Sequence, residues 1–216
     1  MQQSRTHPAR YSMELIPPIV ELLAGCKNII DPFGGTGERL AMIAERLMCS
    51  ATGIEIQPQF IVRSDIVRLG DATRLIFSNE TFDGSVSSPT YGNRMNDRYL
   101  GNGQWDYINY TACAGEYLHE NNTGSLKFHT LRYKQLHISA WTELYRVLIP
   151  GSPFILNIKD SWQGKGIVPV SQWHYDTLVQ IGFKPEKVLR VSVPGMRMGA
   201  NNDKRIGKEN LILFRK

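Results

Sequence analysis

The stretch KNIIDPFGGTGE, residues 27–38, runs a short apolar segment straight into a glycine-rich turn. The apolar part reads as a buried strand. Gly34, Gly35 and Gly37 permit a tight turn and a close backbone approach by a ligand. A helix starting just behind them would add its free N–H groups to the same place. No lysine follows the last glycine, so this is not a phosphate loop of the GxxxxGK type. A purely structural turn explains such a cluster as well as a ligand site does, and the flanking sequence has to separate the two.

Working outward, residues 39–48 carry apolar side chains at helical spacing, and short strands are expected at 51–56, 66–72 and 82–88. Upstream, 13–23 has helical spacing, with Pro17 and Pro18 marking a break or a new first turn. Downstream, a helix near 132–148 is closed by Pro150 and Gly151, and a strand follows at 153–160. A helix at 170–182, a strand at 183–193, a Gly- and Asn-rich loop at 194–208 and a strand at 209–216 complete the chain. Strands separated by helices imply right-handed crossovers and a largely parallel sheet covered on both faces. The last two strands, joined without a helix, should form an antiparallel hairpin. The expected architecture is a single α/β domain with a seven-strand, mostly parallel, Rossmann-like sheet. In such sheets ligands bind at the carboxyl ends of the strands.

Composition narrows the class. The chain has 216 residues, 42% hydrophobic and 21% charged, as expected for one globular domain. No apolar run approaches the roughly 18 residues that span a bilayer. The N-terminal MQQSRTHPARYS lacks the apolar core of a signal peptide, so an intracellular location, away from membranes, is expected. Three cysteines without CxxC spacing support neither a disulfide framework nor a zinc site, and no metal is expected. The net charge of +5 fits a polyanionic partner, as it fits many proteins without one.

The expected strand ends carry the candidate chemistry. Glu55 follows the glycine turn by about 20 residues, where an acid can accept from ribose hydroxyls; a plain surface glutamate is the alternative. Asp71, in GDA, is placed either to accept from an adenine amine or to close a turn. The fourth strand ends in SSPTYG, residues 87–92, which is either a tight Pro-Gly turn or a catalytic loop.

The set DPFGGTGE, GIEI, GDA and SSPTYG, in that order, resembles the S-adenosylmethionine-dependent amino-methyltransferases of DNA, with their DPFxGxG and SPPY-type motifs. The resemblance covers nearly the whole chain. It implies a methyltransferase core in which Asp31, Phe33, Gly34, Gly35 and Gly37 surround the methionine moiety of the cofactor. Glu55 would hold the ribose and Asp71 the adenine, while Ser88, Pro89 and Tyr91 would form the catalytic turn. Thr90 departs from the family, which has a second proline there. Ser88 in place of Asp leans toward cytosine N4 as the target, with adenine N6 open. The amine of a base is a poor nucleophile because its lone pair is delocalised into the ring, so Ser88 and the Pro89 carbonyl would accept its hydrogens. Tyr91 would stack on the base after extrusion from the duplex.

DNA is the expected partner. Asn93 and Arg94, beside the turn, and Arg197 and Arg205, in the basic loop, are the candidate substrate contacts. The aromatic-rich insertion at about 92–134 is the candidate recognition segment, against a satellite-core role for its aromatic residues. Two other readings stay open: an RNA guanine amino-methyltransferase, and a non-catalytic nucleic-acid-binding module that keeps the fold.

Overall fold

The structure is a computed structural model that describes residues 12–92, 113–115, 117–163, 166–193 and 207–216. Nine strands and four α-helices lie within them. The strands are β1 (Asn28–Asp31), β2 (Ser50–Glu55), β3 (Val67–Leu69), β4 (Gly84–Ser87), β5 (Pro153–Ile158), β6 (Ser161–Gln163), β7 (Gly166–Val168), β8 (Lys184–Ser192) and β9 (Lys208–Arg215). The helices are α1 (Ile16–Leu22), α2 (Glu38–Leu47), α3 (Leu131–Val147) and α4 (Val170–Ile181).

Seven strands form one sheet in the order β3-β2-β1-β4-β5-β9-β8. The first five of these pair in parallel, while β9 is antiparallel to both β5 and β8. The expected mixed sheet and its closing hairpin are therefore present, with β9 inserted between β5 and β8. The chain winds outward from β1 to β3 and then returns to β4 beside β1. That reversal is the topological switch point, where the strand ends splay and leave a crevice.

Alternation along the central strands builds a core on each face. Phe154, Leu156 and Ile158 of β5 point to one side, with Trp141 and Leu144 of α3 and Leu178 of α4. Ile155 points to the other, with Ile16 and Ile19 of α1 and Leu40 and Ile43 of α2. All six residues of β5 are buried, as expected for a strand covered on both faces. On α3 the buried positions 133, 136, 137, 140, 141, 144 and 147 trace one helical stripe. Its N-cap is Thr130, whose hydroxyl accepts from the Tyr133 N–H. Pro17 and Pro18 start a new first turn: they sit at the head of α1, where their missing N–H groups cost nothing.

The connections from β2 to β3 and from β3 to β4, for which the sequence shows no helical spacing, contain no α-helix; a single 3-10 turn, Pro58–Phe60, is their only helical piece. Residues 70–83 are too rich in turn formers to sustain a helical stripe, and α3 pins them instead. Arg146 donates to the carbonyls of Leu75 and Phe77, and Glu143 accepts from the Leu75 N–H. A small hairpin, β6–β7, lies in a stretch that sequence patterning passes over. None of the described helices is long and apolar enough to cross a membrane.

Candidate active site

The ends of β1, β2, β3 and β4 surround a cavity of about 200 Å³ at the switch point. Its walls include Asp31, Phe33, Gly34, Gly35, Glu55, Asp71, Ser88, Pro89 and Tyr91. Asn121, Asn122, Thr123 and Gly124 close one side, and Glu209 reaches in from β9. Ten of the fourteen sequence-selected site residues are thus brought within one small region, the tenth being Gly37 at the N-cap of α2. The other four, Asn93, Arg94, Arg197 and Arg205, lie outside the described residues.

The glycines have separate jobs. A Cβ on Gly34 would stand 2.9 Å from Gly53 Cα and 3.1 Å from Ile54 N, so this glycine lets the turn lie directly on β2. Its N–H donates to the Ile54 carbonyl at 2.8 Å. Gly37 has φ +77° and faces the Val67 side chain, which combines a left-handed backbone with lack of space. The Gly35 N–H donates to the Glu55 carboxylate. Phe33 stacks on His137 and meets Trp141 edge-on, anchoring the turn to α3.

Asp31 and Glu55 are buried carboxylates on neighbouring strands. Desolvation pushes Asp31 up to about 7, against the lowering effect of bonds from the Phe33 N–H at 2.9 Å and the Ser87 hydroxyl at 2.8 Å. Desolvation likewise pushes Glu55 up to about 7, opposed by backbone donors that include the Gln57 N–H at 2.8 Å. The charge of Asp31 adds a smaller upward push on Glu55. Two acids held this far from their ordinary range in a crevice mark a site that gains from new donors or positive charge. Asp71 differs. Burial pushes it up, but donors from Asn121 and Thr73 outweigh this and leave it below its ordinary value. Asn121 Nδ2 donates to one oxygen at 2.7 Å, while the Thr73 N–H and hydroxyl both reach the other at 2.8 Å. Arg132 in turn donates to Asn121 Oδ1, so a cation on α3 orients this wall.

The SSPTYG turn follows β4 directly, with Pro89 buried. Ser88 Oγ lies 3.3 Å from Tyr91 Oη and accepts from Asn157 Nδ2 at 3.2 Å. Thr90, at the position where a second proline would stiffen the turn, is tied down twice. Its hydroxyl donates to Thr123 Oγ1 at 2.8 Å, and its carbonyl accepts from Tyr133 Oη at 2.5 Å. Behind Tyr133 the bonds continue into the core. Trp141 Nε1–H donates to His174 Nδ1 at 3.0 Å, and His174 Nε2 meets Tyr133 Oη at 3.1 Å. Burial holds His174 well below its ordinary range, hence neutral. With Nδ1 accepting, Nε2 carries the proton and donates to Tyr133, whose own proton is left for Thr90. Hydrogen bonds thus hold the turn at Thr90.

His174 and Glu209 escape sequence reasoning as site components; residues 121–124 and Tyr133 fall inside the recognition segment expected at about 92–134, and Asn157, at the end of the fifth strand, reads in the sequence as structural or substrate-contacting with equal weight. The Asn-rich HENNTG is a polar turn signal, and the strand-end position of Asn157 offers a weak hint. Nothing local marks Tyr133 or His174. Among the aromatic residues of the insertion, Tyr133 is fully buried and Phe128 packs against it and Trp173, a core role for both.

No protein-family model matches the chain. No curated protein sequence matches it either. Similarity is found among solved structures. A SAM-dependent methyltransferase from Methanosarcina mazei superposes with a TM-score of 0.58 at 13% identity, over 93% of this chain and 97% of the other. The N-methyltransferase NodS from Bradyrhizobium japonicum gives 0.56 at 12% identity, over 94% of each chain. The [4+2]-cyclase SpnF gives 0.57 at 15% identity, over 94% of this chain and 80% of the other. At such identities the likeness is one of fold, and the fold serves more than one chemistry. The chain has the Rossmann-like fold of the S-adenosylmethionine-dependent methyltransferases.

Proposed function

We propose that this protein transfers the methyl group of S-adenosylmethionine to the exocyclic amine of a DNA base, with cytosine N4 as the first expectation and adenine N6 the second. The observation that carries the proposal is the SSPTYG turn, held at the end of β4 in the same cavity as Asp31 and Glu55. The cavity suits the cofactor: its buried carboxylates stand where hydroxyl and cationic groups would satisfy them, with the glycine turn lying flat on β2. When bound, the cofactor supplies an electrophilic methyl on a sulfonium.

The protein's own groups do the rest. Glu55 accepts from ribose hydroxyls, Asp31 balances positive charge on the methionine part, and Asp71 with Asn121 forms the adenine wall. Ser88 and the Pro89 carbonyl accept the amine hydrogens and so favour the nucleophilic form of the nitrogen. Tyr91 packs against the base. Orienting two reactants in this way is worth up to about 7–11 kcal/mol. Support also comes from the doubly bonded Thr90, since a turn that had lost its role would have no need of the chain from Trp141 through His174 and Tyr133. The test is incubation with tritiated S-adenosylmethionine and separate DNA and RNA substrates. Label in DNA is expected; label in RNA alone, or in neither, would reject the proposal.

A further inference from the structure

Four carboxylates line the cavity, and three of them, Asp31, Glu55 and Asp71, stand at or just past the ends of β1, β2 and β3. The fourth, Glu209, comes from the opposite side. Because β9 runs antiparallel to β5, its first residues arrive at the edge where β5 finishes, and Asn210 pairs with Ile158. Asn157, near the end of β5, links Glu209 to the turn. Its Nδ2 donates to Glu209 Oε2 at 2.9 Å and to Ser88 Oγ at 3.2 Å, and lies 3.5 Å from Tyr91 Oη.

A carboxylate oxygen only accepts, so the Asn157 nitrogen must face Glu209 and its oxygen must face inward. There Asn157 Oδ1 is buried, with no partner among the described residues. An unmet buried acceptor is costly, and the arrangement accepts that cost to hold Glu209 beside Ser88. Among the described residues, none of the ion pairs involves Glu209. Its second oxygen is therefore available to a ligand on the Ser88 and Tyr91 side of the cavity.

We infer that Glu209 receives the nitrogen of the second substrate, which is therefore an amine, and takes the proton it releases. The inference rests on the methyl-transfer proposal above. In the step, the nitrogen lone pair forms the new N–C bond while the C–S bond breaks and its electron pair stays on sulfur. The positive charge passes to nitrogen, which sheds one proton to the Glu209 carboxylate and from there to water. The other N–H stays bonded to the turn, Ser88 and the Pro89 carbonyl, throughout. In this cavity Glu209 takes on the proton-accepting work that an acidic first residue of the turn would otherwise do.

The test uses the full chain and the Glu209→Gln variant, which keeps an acceptor oxygen for Asn157. Calorimetry with S-adenosylmethionine should give the same Kd within about twofold for both, which also reports correct folding. Methyl transfer to the acceptor should fall by about 10²–10⁴-fold in kcat, the usual range for a lost general base. Glu209→Asp should recover part of that loss. In cofactor-free protein, NMR titration should show wild type preferring 2′-deoxycytidine over the analogue lacking the exocyclic amine, and Glu209→Gln losing that preference. Wild-type kcat in the Gln variant would overturn the inference while leaving DNA methylation intact. Transfer to an amine that is not nucleic acid, abolished by Glu209→Gln, would reject the DNA proposal and uphold Glu209.

Discussion

Replacing Asp31 by Asn is expected to stabilise the cofactor-free protein, and increasingly so as pH rises. Burial at the end of β1 pushes the Asp31 carboxyl from its ordinary 3.8 to about 7. The folded state thus keeps its proton to higher pH than the unfolded chain does. Stability linked to this group is complete below about pH 4 and is lost progressively as pH rises through 7. Each unit corresponds to about 1.4 kcal/mol, so burying this carboxyl, protonated at pH 5 and ionised at pH 8, costs the fold about 2 kcal/mol at pH 5 and on the order of 4 at pH 8. Asparagine retains an Oδ1 acceptor for the Phe33 N–H and the Ser87 hydroxyl, and it has no charge to bury. The stability difference between variant and wild type should therefore grow by about 2–3 kcal/mol between pH 5 and pH 8. For a chain of this size that is roughly 5–10 °C in Tm. Circular-dichroism melts of both proteins over that range read it directly. A difference that does not change with pH, or a variant less stable at pH 8, would refute the claim that Asp31 is a strained carboxylate awaiting a ligand. The same substitution should weaken S-adenosylmethionine binding in calorimetry, which is what separates a functional strain from an accidental one.

Tyr133→Phe removes the donor to the Thr90 carbonyl and strands the His174 Nε2–H. It should cost about 1–3 kcal/mol in denaturant melts and lower methyl-transfer kcat, while the S-adenosylmethionine Kd holds. Unchanged kcat would mean that the turn needs no anchor. Gly34→Ala would drive a Cβ into the backbone of Gly53 and Ile54, and it should cost about 1–3 kcal/mol by the same measurement; wild-type stability would show that the turn can lift off β2 at no cost.

Much of this fold is legible in sequence because its strands and helices differ so plainly in period. The apolar six-residue β5 and the long stripe on α3 announce themselves, and the order of glycine turn, Glu55, Asp71 and SSPTYG locates the cavity. What stays hidden depends on distance along the chain. Thr90 is held by Tyr133 and, through it, by His174, contacts separated by 43 and then 41 residues that no local pattern encodes. The irregular path between β3 and β4 is hidden for a different reason: Arg146 and Glu143 of α3 satisfy its carbonyls and an N–H from far along the chain. Glu209 was within reach. An antiparallel last strand must begin at the edge where its parallel neighbours end, so its first polar residue belongs to the ligand side. The glycine motif illustrates a last limit, because Gly34 both lines the cavity and is required by its close approach to β2, a second demand that composition cannot reveal.

The central claim is tested most directly by nucleoside mass spectrometry of DNA treated with the protein and S-adenosylmethionine carrying a deuterated methyl group. The predicted result is a labelled methyl on an exocyclic nitrogen, as N4-methyl-2′-deoxycytidine or N6-methyl-2′-deoxyadenosine. Label on a base carbon, on RNA nucleosides alone, or on no nucleoside would contradict it.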